Sequence, residues 1–246
     1  MSSMPNPITP AENNVEKVNA AFQQMCALDR IKWLHGEFGS RLVLSSSFGL
    51  QAAVMLHLVS ELTPEIPVVW LDTGYLFPET YQYAEELIEQ LELDIKIYQP
   101  KISAARQEAL YGKLWEQGEE GNTRYGLINK VEPMNRALQE LGADIWMSGL
   151  RRSQSSTRVD RQFAEQQKQT LKVYPILDWS DQEVCSYFQK HKLPKHPLEK
   201  EGYATMGDKH STRPLEDGES AESSRFGGSK YECGLHLDSE AQDFQI

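Results

Sequence analysis

The residues best suited to covalent chemistry lie near the end of the chain, where Cys233 is followed three positions later by His236. A thiolate is the nucleophile of cysteine chemistry, and a nearby imidazole or cation raises its fraction at neutral pH. The flanking residues 226–229 and 238–240 are glycine-rich or polar, which is typical of a mobile tail. The stretch therefore predicts either a nucleophile on a movable segment or an ordinary surface cysteine.

Composition argues against several classes of protein. The 246 residues carry a formal net charge of −11, which disfavours non-specific binding of nucleic acid. No apolar run approaches the roughly 20 residues of a membrane span, and residues 1–14 show no apolar core of a secretory signal. Three widely spaced cysteines do not form a disulfide framework, so we expect a cytoplasmic protein. An anionic small molecule remains a possible ligand, because basic side chains cluster locally.

Short apolar runs alternate with helical patterns, which predicts an α/β sandwich with a mostly parallel sheet. The predicted strands are residues 41–44, 66–71, 94–98, 144–148 and 172–177. The predicted helices are residues 15–38, 50–62, 78–91, 103–117, 132–141 and 180–191, the last opened by a capping box of Ser180 and Glu183. Residues 118–129 are polar and glycine-rich, and we interpret them as a loop.

The predicted organisation has three parts. Residues 1–14 form a flexible arm, residues 15–192 an α/β nucleotide-binding domain, and residues 193–246 an irregular lid and tail that carries Cys233. The remaining cysteines, Cys26 and Cys185, are expected to be structural, since free cysteine packs as a small hydrophobe.

Polar residues follow the first two predicted strands. The first is followed by Ser45, Ser46, Ser47, Phe48 and Gly49, and the second by Asp72, Thr73 and Gly74. Ligands of doubly wound sheets bind at the carboxyl ends of the strands. Hydroxyl and N–H groups before a helix suit an anion, and a carboxylate suits a ribose hydroxyl or an adenine amine. Both stretches are equally compatible with an ordinary helix cap or turn.

Basic side chains follow the fourth predicted strand. Gly149 precedes Arg151 and Arg152, and Arg158 comes shortly after them. Guanidinium groups bind phosphate in a bidentate manner, so this stretch predicts either a polyanion site or a solvated basic loop. A further cation, Lys130, stands at the predicted start of a helix.

Five stretches together resemble the assimilatory sulfonucleotide reductases. They are LSSSFGLQ at 44–51, DTGYLFPET at 72–80, KVEP at 130–133, GLRR at 149–152 and ECGLH at 232–236. They occur in the family's order, and the similarity spans about residues 42–236. The resemblance implies the adenine-nucleotide α-hydrolase-like variant of the Rossmann sandwich, and a homodimer as is common among relatives.

The resemblance also implies one branch of that family. One branch reduces adenosine 5′-phosphosulfate with a 4Fe–4S cluster, and the other reduces 3′-phosphoadenosine 5′-phosphosulfate without one. The cysteine pairs of the cluster branch are replaced here by Tyr125–Gly126 and by residues 208–211. Because such a cluster needs four thiolates and the chain has three cysteines, the cluster-free branch is implied. Its electron donor is reduced thioredoxin or glutaredoxin, with no bound cofactor.

A mechanism follows from the resemblance. Cys233 attacks the sulfur of the sulfonucleotide, adenosine 3′,5′-bisphosphate leaves, and a thiol of thioredoxin or glutaredoxin releases sulfite from the S-sulfocysteine. Cations must offset the negative sulfonate, and the candidates are Lys130, Arg213, Arg225 and His236. The implied nucleotide contacts are Ser45, Ser46, Ser47, Phe48 and Gly49 for the phosphosulfate, Asp72, Thr73 and Gly74 for the nucleoside, and Gly149, Arg151, Arg152 and Arg158 for phosphates.

Two other functions remain open from the sequence. One is an ATP-dependent adenylyltransferase or ATP pyrophosphatase of the same fold, and the other is a non-catalytic nucleotide-binding regulator. The first class resembles a Ser-Gly-Gly-x-Asp-Ser loop, and Gly49 stands here at its acidic position, where it cannot help to hold magnesium. We expect a small-molecule sulfonucleotide as ligand, and neither nucleic acid nor a membrane as partner.

Overall fold

A six-stranded sheet organises this computed structural model, which describes residues 12–168, 170–216, 218–219 and 224, with side chains from Val15 onward. The strands are β1 Leu42–Ser46, β2 Val68–Leu71, β3 Ile95–Tyr98, β4 Ile145–Ser148, β5 Ala164–Gln167 and β6 Thr170–Val173. Their order is β3-β2-β1-β4-β6-β5, and only the β5–β6 pair is antiparallel. The order reverses between β1 and β4, so the switch point that binds ligands in such sheets lies there.

Helices cover both faces of the sheet. They are α1 Glu12–Phe22, α2 Ala27–Phe38, α3 Ala52–Leu62, α4 Pro78–Leu91, α5 Ala104–Tyr111, α6 Gly118–Gly126, α7 Glu132–Glu140 and α8 Asp181–His191. Alternate side chains of β1 enter different cores: Leu42 and Leu44 pack with α1–α4 and α8, whereas Val43 packs with α7. The prediction of a three-layer α/β sandwich with a mostly parallel sheet is confirmed. None of the helices within the described ranges is long and apolar enough to cross a membrane.

Three predicted helix or loop boundaries were wrong. The helix predicted over residues 103–117 is α5, which ends at Tyr111, followed by a separate 3₁₀ turn at Leu114–Glu116. The single helix predicted over residues 15–38 is two helices, because the backbone becomes extended at Cys26, which caps α2. The predicted loop at 118–129 is instead α6, which continues into a π-helical turn at Leu127–Val131. Although the sequence of α6 is polar, one face of the helix is buried. Gly121 packs so closely there that a Cβ would lie 2.1 Å from the carbonyl oxygen of Leu114.

The last predicted strand was also wrong in its extent. Strand β6 ends at Val173, and its hairpin partner β5 has the polar sequence Ala-Glu-Gln-Gln, which gives little strand signal at the edge of a sheet. The expectation that Cys26 and Cys185 are structural was wrong as well, since both thiols are exposed. In contrast, the capping box of Ser180 and Glu183 is confirmed.

The chain after α8 adds to the core although it lacks long elements. Short 3₁₀ turns occur at Pro197–Glu201 and Lys209–Ser211, and Leu193, Leu198 and Asp208 are buried. Helix α1 begins at Glu12, inside the stretch predicted as an arm. The division into arm, domain and lid stays a prediction.

Candidate active site

The loop after β1 turns sharply toward α3. Phe48 has a left-handed backbone with φ of 48°, which costs a non-glycine residue about 1 kcal/mol. Its N–H donates to Ser46 Oγ at 3.1 Å, and its ring is fully buried 4.8 Å from the ring of Trp70. Ser45 Oγ accepts from Trp146 Nε1 at 2.6 Å. Ser47 is exposed and Gly49 is half-buried, so this loop offers a ligand its backbone and hydroxyls, but not the Phe48 ring.

The loop after β2 holds one carboxylate in a fixed orientation. Asp72 accepts from the Gly74 N–H at 2.9 Å, from Tyr81 Oη at 2.6 Å and from Gln99 Nε2 at 2.7 Å. Burial and this hydrogen bond raise the pKa of Tyr81, so the phenol stays a donor. Gly74 has φ of 77°, and a Cβ there would come within 3.2 Å of Ala104, so glycine fits this turn best. Asp72 is partly exposed and can accept from a bound polar group.

Beside this loop lies a buried ion pair. Lys130 Nζ is 2.7 Å from Asp208 Oδ2, and Thr73 Oγ1 donates to Asp208 Oδ1 at 2.6 Å. Asp208 is 1% exposed. Burial alone would raise the pKa of Asp208, but the ammonium of Lys130 and the hydrogen bonds outweigh it and hold the pKa at about 2. Lys130 and Thr73, both predicted site residues, therefore meet at Asp208.

The π-helical turn explains why Lys130 faces inward. The turn inserts an extra residue between α6 and α7, and such insertions often occur at functional sites. Asn129 fills the turn: its amide exchanges hydrogen bonds of 2.9 and 3.0 Å with Gln107 and donates to the carbonyl of Tyr125 at 3.0 Å. The polar atoms of the Asn129 amide are thereby satisfied, and the adjacent Lys130 is directed toward Asp208.

Four rings, which we call the aromatic cluster, pack together beside this ion pair. His210 stacks on Trp115 with ring centroids 4.0 Å apart and an interplanar angle of 5°. The rings of Tyr125 and Tyr75 are both nearly perpendicular to the ring of His210, with centroids 4.6 and 5.6 Å from it. Lys130 Nζ lies 5.8 Å from the centre of the Tyr125 ring. Burial, Glu108 and Asp208 raise the pKa of Tyr75 to about 12.

The aromatic cluster joins the two segments at which the sequence lacks the cysteines of the cluster branch. Tyr125 belongs to one segment and His210 to the other. Neither residues 125–126 nor residues 208–211 include a cysteine, so these residues do not fit a four-thiolate iron–sulfur group.

The arginines after β4 are held by protein groups. Arg151 is 1% exposed and donates to Gln51 Oε1, to Ser153 Oγ at 2.8 Å, to the carbonyl of Trp179 at 3.1 Å and to Asp181 Oδ1 at 2.8 Å. It ties the end of β4 to the starts of α3 and α8.

The neighbouring positions are similarly occupied. Arg152 donates to the carbonyl of Arg161 at 2.8 and 3.1 Å, and Arg158 donates to Gln154 Oε1 at 2.7 Å. A Cβ at Gly149 would lie 3.0 Å from Met55 Cγ, which shows how closely the end of β4 approaches α3. The assignment of the arginines to substrate phosphates stays a prediction.

Arg213 forms an ion pair with a different acid, Glu219. Its guanidinium bonds both oxygens of Glu219 at 2.5 and 2.6 Å, and this hydrogen bonding holds the pKa of Glu219 at about 2. The other predicted catalytic residues, Arg225, Cys233 and His236, lie outside the described residues.

Asp208 and Trp115 were missed by the sequence analysis. Asp208 lies in a stretch without apolar periodicity, where a lone acid carries no pattern. The available signal was the alignment of residues 208–211 with a cysteine motif of the cluster branch, which marked the segment but not the role of its first residue.

Comparison with known proteins supports one family. The family model described as the phosphoadenosine phosphosulfate reductase domain matches residues 41–214. A curated relative named phosphoadenosine 5′-phosphosulfate reductase, from Alkalilimnicola ehrlichii, is 51% identical over 232 residues, which cover 94% of each chain.

Solved structures agree with the fold. The phosphoadenylyl-sulfate reductase of Candida auris, in a phosphate complex, has a TM-score of 0.73 and 26% identity, covering 84% of this chain and 99% of that one. The FMN adenylyltransferase of Candida glabrata, solved with FMN and an ATP analogue, has a TM-score of 0.57 and 13% identity, covering 85% of this chain and 75% of that one; it shares the fold alone. With the family model matching most of the chain and a relative identical at half of its positions, the chain belongs to the phosphoadenosine phosphosulfate reductase family.

Proposed function

We propose that this chain reduces 3′-phosphoadenosine 5′-phosphosulfate to sulfite and adenosine 3′,5′-bisphosphate during sulfate assimilation. Family membership supports the reaction, and the observation that carries its assignment to this site is the buried ion pair of Lys130 and Asp208. An ammonium held at the ligand-binding edge of the sheet suits a substrate whose reacting group is an anionic sulfonate.

The reaction proceeds in two transfers. The thiolate of Cys233 attacks the sulfonate sulfur, the S–O bond to the 5′-phosphate breaks, and the bisphosphate leaves with the electron pair. A thiolate of a dithiol donor then attacks Cys233 Sγ, and sulfite departs with the electron pair of the S–S bond. The second donor thiol displaces Cys233, so the donor ends as a disulfide and supplies the two electrons that reduce the sulfur.

Lys130 offsets the charge that opposes the first transfer. An anionic thiolate and an anionic sulfonate repel each other, and the repulsion is strongest where water is excluded. An ammonium has three N–H donors, and the described contacts use Asp208 as its carboxylate partner, so donors remain for sulfonate oxygens. Asp208 aligns the ammonium of Lys130, and Thr73 in turn orients Asp208.

The two loops at the strand ends would hold the rest of the nucleotide. Asp72 is oriented by three donors and partly exposed, which suits a ribose hydroxyl or an adenine amine. Ser45–Gly49 would bind the phosphosulfate through backbone N–H and hydroxyl groups at the start of α3. The arginines after β4, together with Arg213, Arg225 and His236, complete the proposed positive surroundings.

The donor and the assembly follow the family resemblance. We assign reduced thioredoxin or glutaredoxin as the dithiol, no bound cofactor, and a homodimer in the cytoplasm. These assignments stand on the missing thiolates and on the resemblance of the motifs.

The test is mass spectrometry of the protein mixed with substrate and no reductant. The nucleophile predicts a gain of about 80 Da, one sulfonate group, on the Cys233 peptide. The matched controls are Cys26→Ser and Cys185→Ser, which remove the two exposed thiols and are expected to keep the adduct. An adduct that persists in Cys233→Ser would refute the assignment, and magnesium-dependent release of pyrophosphate from ATP would favour the adenylyltransferase instead.

A further inference from the structure

The Trp115–His210 stack lies where it can control the alignment of Lys130. We propose that this stack is a positioning device for the sulfonate-binding ammonium, and that His210 acts through Asp208 as a positioning residue. The inference rests on the proposed function, because the rate of sulfonate transfer is its readout.

Asp208 is not held by a strand or an α-helix. It precedes a 3₁₀ turn at Lys209–Ser211, whose Ser211 N–H donates to the Asp208 carbonyl at 3.0 Å. The Lys209 N–H donates to the Tyr75 carbonyl at 2.9 Å. Ser211 Oγ also donates to the Asp208 carbonyl at 3.2 Å. These bonds fix the backbone at two points, so side-chain packing adds to the bond from Thr73 in placing the carboxylate.

The ring of His210 supplies that packing two residues after Asp208. It lies parallel to the ring of Trp115, with centroids 4.0 Å apart. The rings of Tyr125 and Tyr75 pack nearly perpendicular to it, with centroids at 4.6 and 5.6 Å. Stacked and edge-to-face ring pairs stabilise a structure beyond the effect of the area they bury. These contacts hold the 208–211 segment in one place.

The turn that carries Trp115 packs against the same helix that leads into Lys130. Trp115 lies in the turn Leu114–Glu116, which is pressed against Gly121 of α6. Helix α6 runs without a break into the π-helical turn that carries Lys130. The stack therefore positions Asp208 relative to the same helix that presents Lys130, and the 2.7 Å ion pair depends on it.

Loss of the stack is expected to affect the reaction more than nucleotide binding. Lys130 is proposed to contact the sulfonate, which adenosine 3′,5′-bisphosphate lacks. A misplaced charged group slows a reaction strongly, and a displacement of about 1 Å can cost up to a hundredfold. We expect His210→Leu to slow adduct formation about tenfold and to leave the Kd for the bisphosphate nearly unchanged.

The experiment measures single-turnover adduct formation on Cys233 in matched variants. His210→Phe keeps an aromatic ring and is expected to stay close to wild type, whereas His210→Leu loses the stack. In a Lys130→Met background, His210→Leu should cause no further loss, because two residues that act through one group are not additive. The control is His191→Leu, which removes a histidine that stacks on Tyr187 at 4.2 Å on α8, and its rate should not change.

The outcomes separate this inference from the proposed function. If wild type forms no adduct, the proposed function fails. If wild type reacts and His210→Leu reacts equally fast, or His210→Phe is as slow as His210→Leu, or the losses of His210 and Lys130 add, the positioning role is refuted. Should His210→Leu fail to fold, Trp115→Leu against Trp115→Phe makes the same comparison at a partly exposed position.

Discussion

Lys130 and Arg151 are both buried near the carboxyl ends of strands, and their surroundings differ in kind. Lys130 is paired with one deeply buried carboxylate, that of Asp208, and lies beside the ring of Tyr125. Arg151 donates to a side-chain amide, a hydroxyl and a main-chain carbonyl, and the carboxylate that it bonds, Asp181, is 71% exposed. A cation held at a single point can take on a further anion, whereas one bonded on several sides acts first as a tie between elements.

The difference follows from the chemistry of the two side chains. Guanidinium has five N–H donors in a rigid fork, which suits several acceptors from different elements at once. Ammonium is a compact charge on a flexible stem, and its alignment must come from neighbours. This explains why Arg151 joins three elements by itself, while Lys130 is accompanied by Asp208 and Thr73.

The largest expected effect tests the Lys130 side of this comparison. Lys130→Met should slow adduct formation on the order of 100-fold, because it removes charge stabilisation from the transferring sulfonate. It should also lower the free energy of unfolding by about 3–5 kcal/mol, because the carboxylate of Asp208 is left buried and unpaired.

The double variant Lys130→Met/Asp208→Asn separates these two effects. It removes the unpaired charge, so most of the stability should return while the rate stays low. Single-turnover kinetics and urea unfolding measure both quantities. Recovery of the rate together with the stability would mean that Lys130 has only a structural role.

A smaller effect is expected on the Arg151 side. Arg151→Met should lower the free energy of unfolding by about 2–3 kcal/mol, because Gln51 and the Trp179 carbonyl lose a buried donor. Arg152→Met, the matched variant at the partly exposed neighbour, should cost about 1 kcal/mol.

Urea unfolding ranks the two arginine variants, and titration with adenosine 3′,5′-bisphosphate tests the phosphate assignment in the same proteins. Equal losses of stability would contradict the role of Arg151 as a tie. A weakened Kd in either variant would support the predicted contact with phosphate.

The surroundings of Lys130 and Arg151 also differ in how far the sequence could predict them. Ser45–Gly49 begins in the last two residues of β1 and Asp72–Gly74 follows β2, so local pattern and the rules of parallel sheets place both stretches at the carboxyl edge of the sheet. Lys130 was identified through its motif, but its inward direction comes from a π-helical turn that the polar sequence of α6 does not reveal. Asp208 meets Lys130 only through tertiary packing across the chain, and no spacing along the sequence reports such a pairing. Nor did composition show that Arg151 would be enclosed, since the contacts come from α3 and α8.

The effect expected to be smallest at neutral pH is a pH dependence confined to the Lys130–Asp208 ion pair. The pKa of Asp208 is about 2 in the folded protein, below the value of about 3.9 in an unfolded chain. A carboxylate with a lowered folded pKa contributes stability that is fully present above about pH 5 and is lost as the pH falls toward 2, here about 2–3 kcal/mol. The ion pair should therefore stay intact throughout the neutral range.

The measurement is the difference in unfolding free energy between wild type and the double variant Lys130→Met/Asp208→Asn, which lacks the titrating group. This difference should be constant from pH 7 to about pH 5 and should shift against wild type below about pH 4. Groups shared by both proteins cancel, so the acid sensitivity of the rest of the fold does not enter. A shift centred near pH 6 would show that burial outweighs the ammonium at Asp208, and the ion pair with Lys130 would then be lost just below neutral pH.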